Sequence, residues 1–317
     1  MPSESSINNQ SSWQAEGSLA LLALIWGSSH VVTKDILATH SPSFYTSARF
    51  GLAAVLFLII FWRHLRRSTR TEVRQGVLLG LCSFAGIAFY VCGLLFTQVS
   101  KAGFISGLHL VFTPIVAFAI FRVRPKPEHL AGLVVAVVGF LAMSLPGSSP
   151  MAGEGLLNIG DLLVLMAAVA WAVHIAATTA FAIRGGVRTL AVVQVITVAL
   201  LAISVHLALR LAGLERSLNP IDAGFLWRIG YISLVVTCIA ALIQTGGQKR
   251  VSPTHAAVLY TLEPVSSAIF AYIILGEELG TRRWIGAAMI LLGVTISRLG
   301  LPRLINRSGG ADSGVKH

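Results

Sequence analysis

Long apolar stretches recur along this chain, each close to the about 20 residues that carry a helix across a bilayer. They fall at roughly 18–36, 43–62, 73–97, 101–121, 127–145, 159–183, 189–212, 223–248, 252–275 and 281–299, joined by short polar connections. In hydrocarbon the backbone must satisfy its own hydrogen bonds, which leaves helices or a closed barrel. A barrel needs alternating strands of about ten residues, and a run such as 133–140, Leu-Val-Val-Ala-Val-Val-Gly-Phe, does not alternate. Charged residues make up 12% of the chain and apolar residues 55%. A soluble domain carries about 25% charge, and half of that cannot cover a soluble surface. The expected fold class is therefore an all-α integral membrane protein with ten transmembrane helices.

The formal charge of +11 raises the question of a nucleic-acid partner, and its placement answers it. With the N-terminus in the cytoplasm, 16 Lys and Arg residues fall on the cytoplasmic side and 7 on the other, with Arg49 left inside a helix. That skew is the positive-inside pattern of an even number of spans with both ends cytoplasmic. The expected location is the inner membrane, with lipid and not nucleic acid as partner. Cys82, Cys92 and Cys238 lie within apolar runs and show no metal-ligand spacing, so no cofactor or metal is expected. The first sixteen residues hold Glu4 and Glu16 but no Lys or Arg, which is not a signal-peptide opening. Residues 1–17 and 302–317 are expected to be disordered cytoplasmic ends.

Internal similarity divides the rest. Trp26-Gly-Ser-Ser29-His30-Val-Val-Thr33-Lys34 in the first run corresponds to Trp171-Ala-Val-His174-Ile-Ala-Ala-Thr178-Thr179 in the sixth. Pro114 in the fourth run corresponds to Pro264 in the ninth, and Gly132 and Gly139 in the fifth to Gly286 and Gly293 in the tenth. The separations are about 145 to 154 residues and the order is kept, which gives halves at 18–145 and 159–299. Each half holds five helices, an odd number, so the second must enter the membrane inverted relative to the first. Inverted repeats are a mark of secondary transporters, whose sites lie near the midplane where the repeats meet.

Leu24-Ile-Trp26-Gly27-Ser28, Arg49-Phe50, Leu262-Glu263-Pro264-Val265 and Leu275-Gly276-Glu277-Glu278-Leu279, followed by Gly286 and Gly293, carry a family likeness. In order and spacing they resemble the EamA-type members of the drug/metabolite transporter superfamily over about 18–299. The resemblance implies ten helices in two EamA repeats and transport of small metabolites, often efflux. The first half departs from it: Phe121-Arg122-Val123-Arg124-Pro125 stands where the second half has Gly276-Glu277.

The candidate substrate-binding residues are Trp26, Ser29, His30, His109, Trp171, His174, Tyr260 and Glu263. Glu263 is placed near mid-membrane, where a carboxylate is costly unless partnered. It either binds a substrate ammonium or couples to protons, or else it serves the break at Pro264. Tyr260, Glu263 and Ser267 share a helix face, as do Ser106, His109 and Thr113, and polar stripes in a membrane helix turn away from lipid. Trp26 and Trp171 offer ring faces to a cationic or aromatic solute, or wedge between helices. Pro114 and Pro264 are candidate hinges. Arg49 is expected to snorkel to the headgroups, with anion attraction as the other reading. Motifs of zinc hydrolases, serine hydrolases and P-loop enzymes do not occur. The expected function is alternating-access export of amino acids or related amphipathic solutes. A lipid-linked substrate translocase and an integral-membrane transferase are the alternatives. Small-xxx-small pairs such as Gly76/Gly80 serve contacts within a bundle or a homodimer.

Overall fold

The structure is a computed structural model, and it describes residues 4–94, 96, 105–144, 158–184, 186–215, 221–275 and 281–299. All regular structure among them is helical: α1 (Glu4–Thr39), α2 (Pro42–Leu65), α3 (Arg70–Leu94), α4 (His109–Phe121), α5 (Pro127–Ser144), α6 (Ile159–Arg184), α7 (Val187–Leu211), α8 (Ala223–Gln248), α9 (Pro253–Tyr260), α10 (Leu262–Leu275) and α11 (Thr281–Leu299). Five of these, α2, α3, α6, α7 and α8, are long and apolar enough to cross a membrane, and α4, α5 and α11 contain shorter apolar helices. Their outer faces carry large exposed apolar side chains such as Ile59, Ile60, Leu200 and Leu207, a surface suited to lipid.

Local chemistry sets the helix starts. Ser41 Oγ accepts from Phe44 N at 3.3 Å and Pro42 occupies the first turn of α2. Ser252 and Pro253 repeat the arrangement at α9, with Ser252 Oγ accepting from His255 N at 3.3 Å. In both, the serine satisfies an orphan N–H and the proline has none to satisfy. Thr69 and Glu72 cap α3 reciprocally: Thr69 N donates to Glu72 Oε2 at 2.9 Å and Glu72 N to Thr69 Oγ1 at 3.2 Å. Glu72 Oε1 also accepts from Gly186 N at 2.7 Å, which ties α3 to the α6–α7 turn.

Two elements differ from expectation. Helix α1 begins at Glu4, so the lead expected to be disordered is helical from that residue on. No proline interrupts 4–39, and Ala15, Leu19 and Leu22 bury against Ala256, Leu259 and Tyr260. The single span expected at 252–275 is two helices parted at Thr261. Pro264 has no N–H to offer the carbonyl four residues back. Just before it, Thr261 Oγ1 donates to Val258 O at 2.6 Å and Thr261 N to the same oxygen at 3.2 Å, a tightened turn that closes α9. The tail at 302–317 lies outside the described residues, as does the Gly276-Glu277 turn.

The two repeats meet about a pseudo-twofold. A Cβ on Gly132 would fall 2.5 Å from Gly293 O, and one on Gly139 would fall 2.6 Å from Gly286 O. Residue numbers rise along α5 as they fall along α11, so these helices cross antiparallel with backbones in contact. Gly132 corresponds to Gly286 and Gly139 to Gly293, so each glycine touches the counterpart of the other, the signature of a two-fold contact. Further inter-repeat packing comes in matching pairs. Helix α3 packs on α6 as α1 packs on α8, α4 on α6 as α10 on α1, and α3 on α7 as α8 on α2.

Candidate functional site

The first and sixth helices bring their tryptophans to the inter-repeat contact. Trp26 lies against Tyr260 of α9, with ring centroids 5.2 Å apart and planes tilted by 53°. Trp171 lies against Tyr90 of α3 at 5.6 Å and edge-on to His109 of α4 at 6.4 Å. Space for Trp171 comes from Gly86, one turn before Tyr90: a Cβ there would fall 2.4 Å from the indole Nε1. Glu263, half-buried at the start of α10, follows Tyr260 by three residues, and its turn abuts α1 next to Trp26: a Cβ on Gly27 would fall 2.8 Å from Glu263 O. The turn that bears this carboxyl group thus packs on the helix that carries Trp26.

The surrounding polar groups hold these side chains in place. His109 Nδ1 lies 2.9 Å from Ser106 O, the carbonyl that fixes its ring. Thr113 Oγ1 donates to His109 O at 2.7 Å, next to Pro114, which is buried within α4. The buried Tyr260 hydroxyl faces Gln244 of α8 without reaching hydrogen-bond geometry. On α10, Ser266 Oγ donates to Ala23 O at 3.2 Å and to Glu263 O at 2.9 Å, which fastens the turn bearing Glu263 to α1. Chemically, a carboxyl group one turn from Tyr260, on a helix packed beside Trp26, suits an organic ammonium: the acid offers charge and the rings offer faces to the body of the solute.

Of the residues singled out from sequence, Trp26 pairs with Tyr260 and Trp171 with His109, and the turn of Glu263 abuts Gly27, next to Trp26. His174 lies elsewhere: it is buried, with Nε2 2.9 Å from Gln194 Oε1 on α7, and it joins two helices of the second repeat. Ser29 bonds back to its own helix through Trp26 O at 2.6 Å. The side chain of His30 lies outside the described residues, as does that of Pro264. Arg49 does not snorkel; it turns inward to α8. Tyr90 was missed. Its signal was available in Gly86-x-x-x-Tyr90, a ring one turn beyond a residue with no side chain, on one helix face.

Both ends of the bundle are latched. At one, Arg228 of α8 pairs with Asp35 of α1. There too, Ser43 of α2 donates to Glu215, which lies 3.5 Å from His206 Nδ1. Burial pushes the Glu215 carboxyl up, but hydrogen bonds from Ser41, Ser43 and His206 outweigh it and hold the group below the usual carboxylate range. At the other end, His255 Nε2 lies 3.8 Å from Glu16 Oε1, and Ser297 Oγ lies 2.7 Å from His255 Nδ1 and 3.1 Å from His129 Nδ1. Among the described residues no group of three His, Cys, Asp or Glu side chains is placed to hold a metal ion.

A helical bundle of two like halves, apolar outside and with a polar aromatic site between them, defines a multi-pass membrane transporter. The chain belongs to the EamA-like transporter family, whose model matches residues 15–145 and 158–299, one copy to each repeat. It is 28% identical over 287 residues to an uncharacterised transporter of Archaeoglobus fulgidus, covering 90% of this chain and 86% of that one. It is also 28% identical over 299 residues to a probable amino-acid metabolite efflux pump of Escherichia coli, covering 90% and 95%. One solved crystal structure superposes with a TM-score of 0.76 at 20% identity, covering 93% of this chain and 99% of the other, a likeness of fold alone.

Proposed function

We propose that this protein is a secondary transporter with ten spans in two inverted repeats, exporting amino acids or related amphipathic solutes by alternating access. It sits in the inner membrane with both termini in the cytoplasm, and it carries out no chemical conversion. The observation that carries the reading is a carboxyl-bearing turn, that of Glu263, packed on the helix of Trp26, whose ring lies 5.2 Å from Tyr260. Glu263 takes the substrate ammonium and exchanges it for a proton, so the two share one site on opposite half-cycles. The efflux-pump names of the Escherichia coli and Salmonella typhimurium relatives support the cargo class and direction. The paired inter-repeat packing supports the cycle: an interface of matched halves has two near-equivalent arrangements, one open to each side. Pro114 and Pro264 weaken α4 and the α9–α10 span on the same level and act as its hinges. The latches at the two ends of the bundle open in turn.

The test is uptake into proteoliposomes of a mixed amino-acid pool, wild type beside Glu263→Gln, with and without a pH gradient. Gradient-driven accumulation that is lost in the variant is expected. Equilibration indifferent to the gradient, and surviving in the variant, would make the protein a facilitator and return Glu263 to a structural role.

A further inference from the structure

Arg49 is a permanent cation two turns inside α2, since guanidinium is not deprotonated in proteins. Its Nε donates to Thr237 Oγ1 at 2.8 Å, its Nη1 to Tyr45 OH at 3.1 Å and its Nη2 to Val236 O at 3.5 Å. The Phe50 ring lies 5.1 Å below Cζ. Every one of these partners is neutral, and among the described residues no carboxylate lies within ion-pair distance of Arg49. Three of its five N–H donors are used. An uncompensated charge within a membrane span is expensive and marks a functional site by default. Two free donors in a planar fork match a carboxylate.

The fork is held in place, as a binding group needs to be. Helix α8 widens into a π turn at Leu234–Ile239, a local feature frequent at functional sites. There Thr237 Oγ1 donates to Ile232 O at 3.0 Å, which turns its lone pairs to Arg49. The Tyr45 hydroxyl accepts from Arg49 and lies 2.9 Å from Thr33 Oγ1 on α1. Thr33 follows Trp26 by seven residues on the same helix face. Trp26 in turn packs against both the Tyr260 cluster and the Tyr45, Ile232 and Val236 cluster. The tryptophan thus touches both the cluster of Tyr260, one turn before Glu263, and the cluster of Tyr45, which holds the Arg49 fork.

We propose that Arg49 anchors the carboxylate of the transported solute while Glu263 takes its ammonium, which makes the cargo zwitterionic and not simply cationic. This rests on the transporter reading above and narrows its substrate class. The experiment is calorimetric binding in lipid nanodiscs of three matched probes, phenylalanine, phenylalanine amide and phenethylamine, to wild type, Arg49→Gln and Arg49→Lys. Wild type is expected to favour phenylalanine over the two cations by about tenfold or more, as a bidentate charge-assisted pair warrants. Arg49→Gln is expected to abolish that preference by weakening phenylalanine alone, and Arg49→Lys to keep part of it. The wild-type comparison needs no variant, and a preference there for the cationic probes overturns the proposal. Equal weakening of all three probes in Arg49→Gln also overturns it, since a brace for the π turn would act that way. Cations that bind tightly and depend on Glu263 would leave the central site standing while the Arg49 anchor fails. Binding of none of the three to wild type would remove both.

Discussion

Trp26 and Trp171 occupy corresponding positions in the two repeats, yet their surroundings are unlike. Trp171 is flanked by Tyr90 and His109, Trp26 by Tyr260. The counterpart of Tyr90, at the 154-residue spacing of the glycine pairs, is Gln244, which faces Tyr260. The counterpart of Glu263, at the 150-residue spacing of the prolines, is Thr113, whose hydroxyl is satisfied within its own helix. The pseudo-twofold supplies a frame that can be rearranged between equivalent states. Binding needs the opposite, a site with one charged pole. The asymmetry is concentrated at the centre, and the glycine contacts of α5 with α11 keep the symmetry.

The comparison can be broken most sharply by exchanging its two sides. In the uptake assay, Glu263→Gln is expected to lower transport at least about a hundredfold, and Thr113→Val by less than about threefold. Comparable losses would mean that the centre is functionally symmetric. The symmetric frame is tested by Gly132→Leu and Gly293→Leu, whose side chains have no room against the facing backbone. Each is expected to lower stability by about 1 to 3 kcal/mol, read as a fall in thermal midpoint, and the two losses should be alike. A much larger loss at one of them would show that the helices do not share the contact equally.

The smallest effect concerns the latch at the Asp35 end. Glu215 is held below its ordinary value, so its contribution is complete at neutral pH and is lost as pH falls through its folded value. Glu215→Gln is expected to cost about 1 kcal/mol or less and to remove that acid-side fall in thermal midpoint. An unchanged pH profile in the variant would show that the fall belongs to other groups.

Much of the frame was legible in the sequence because membrane insertion is a one-dimensional constraint. Apolar runs mark the helices, the recurring anchors mark the two repeats, and recurring glycines mark where backbones touch. The azimuth of each polar residue was less legible. Trp171 and His174 lie one turn apart, but the first turns to the centre and the second to Gln194 of α7. Arg49 read as a snorkelling residue because only its depth was visible; the π turn that receives it lies 188 residues away along the chain, at Thr237. The parting at Thr261 likewise rests on a local detail, the closing of Thr261 on Val258 O just before Pro264. Tyr90 escaped notice because its partner is a tryptophan of the other repeat.

The central claim is that one carboxyl group gives a two-fold frame its binding polarity. It is tested most directly by the affinity of wild type and Glu263→Gln for an ammonium-bearing solute in nanodiscs, with thermal unfolding measured on the same samples. Saturable binding weakened more than about tenfold in the variant, at unchanged thermal midpoint, is the expected result. Unchanged affinity would place the site elsewhere in the bundle.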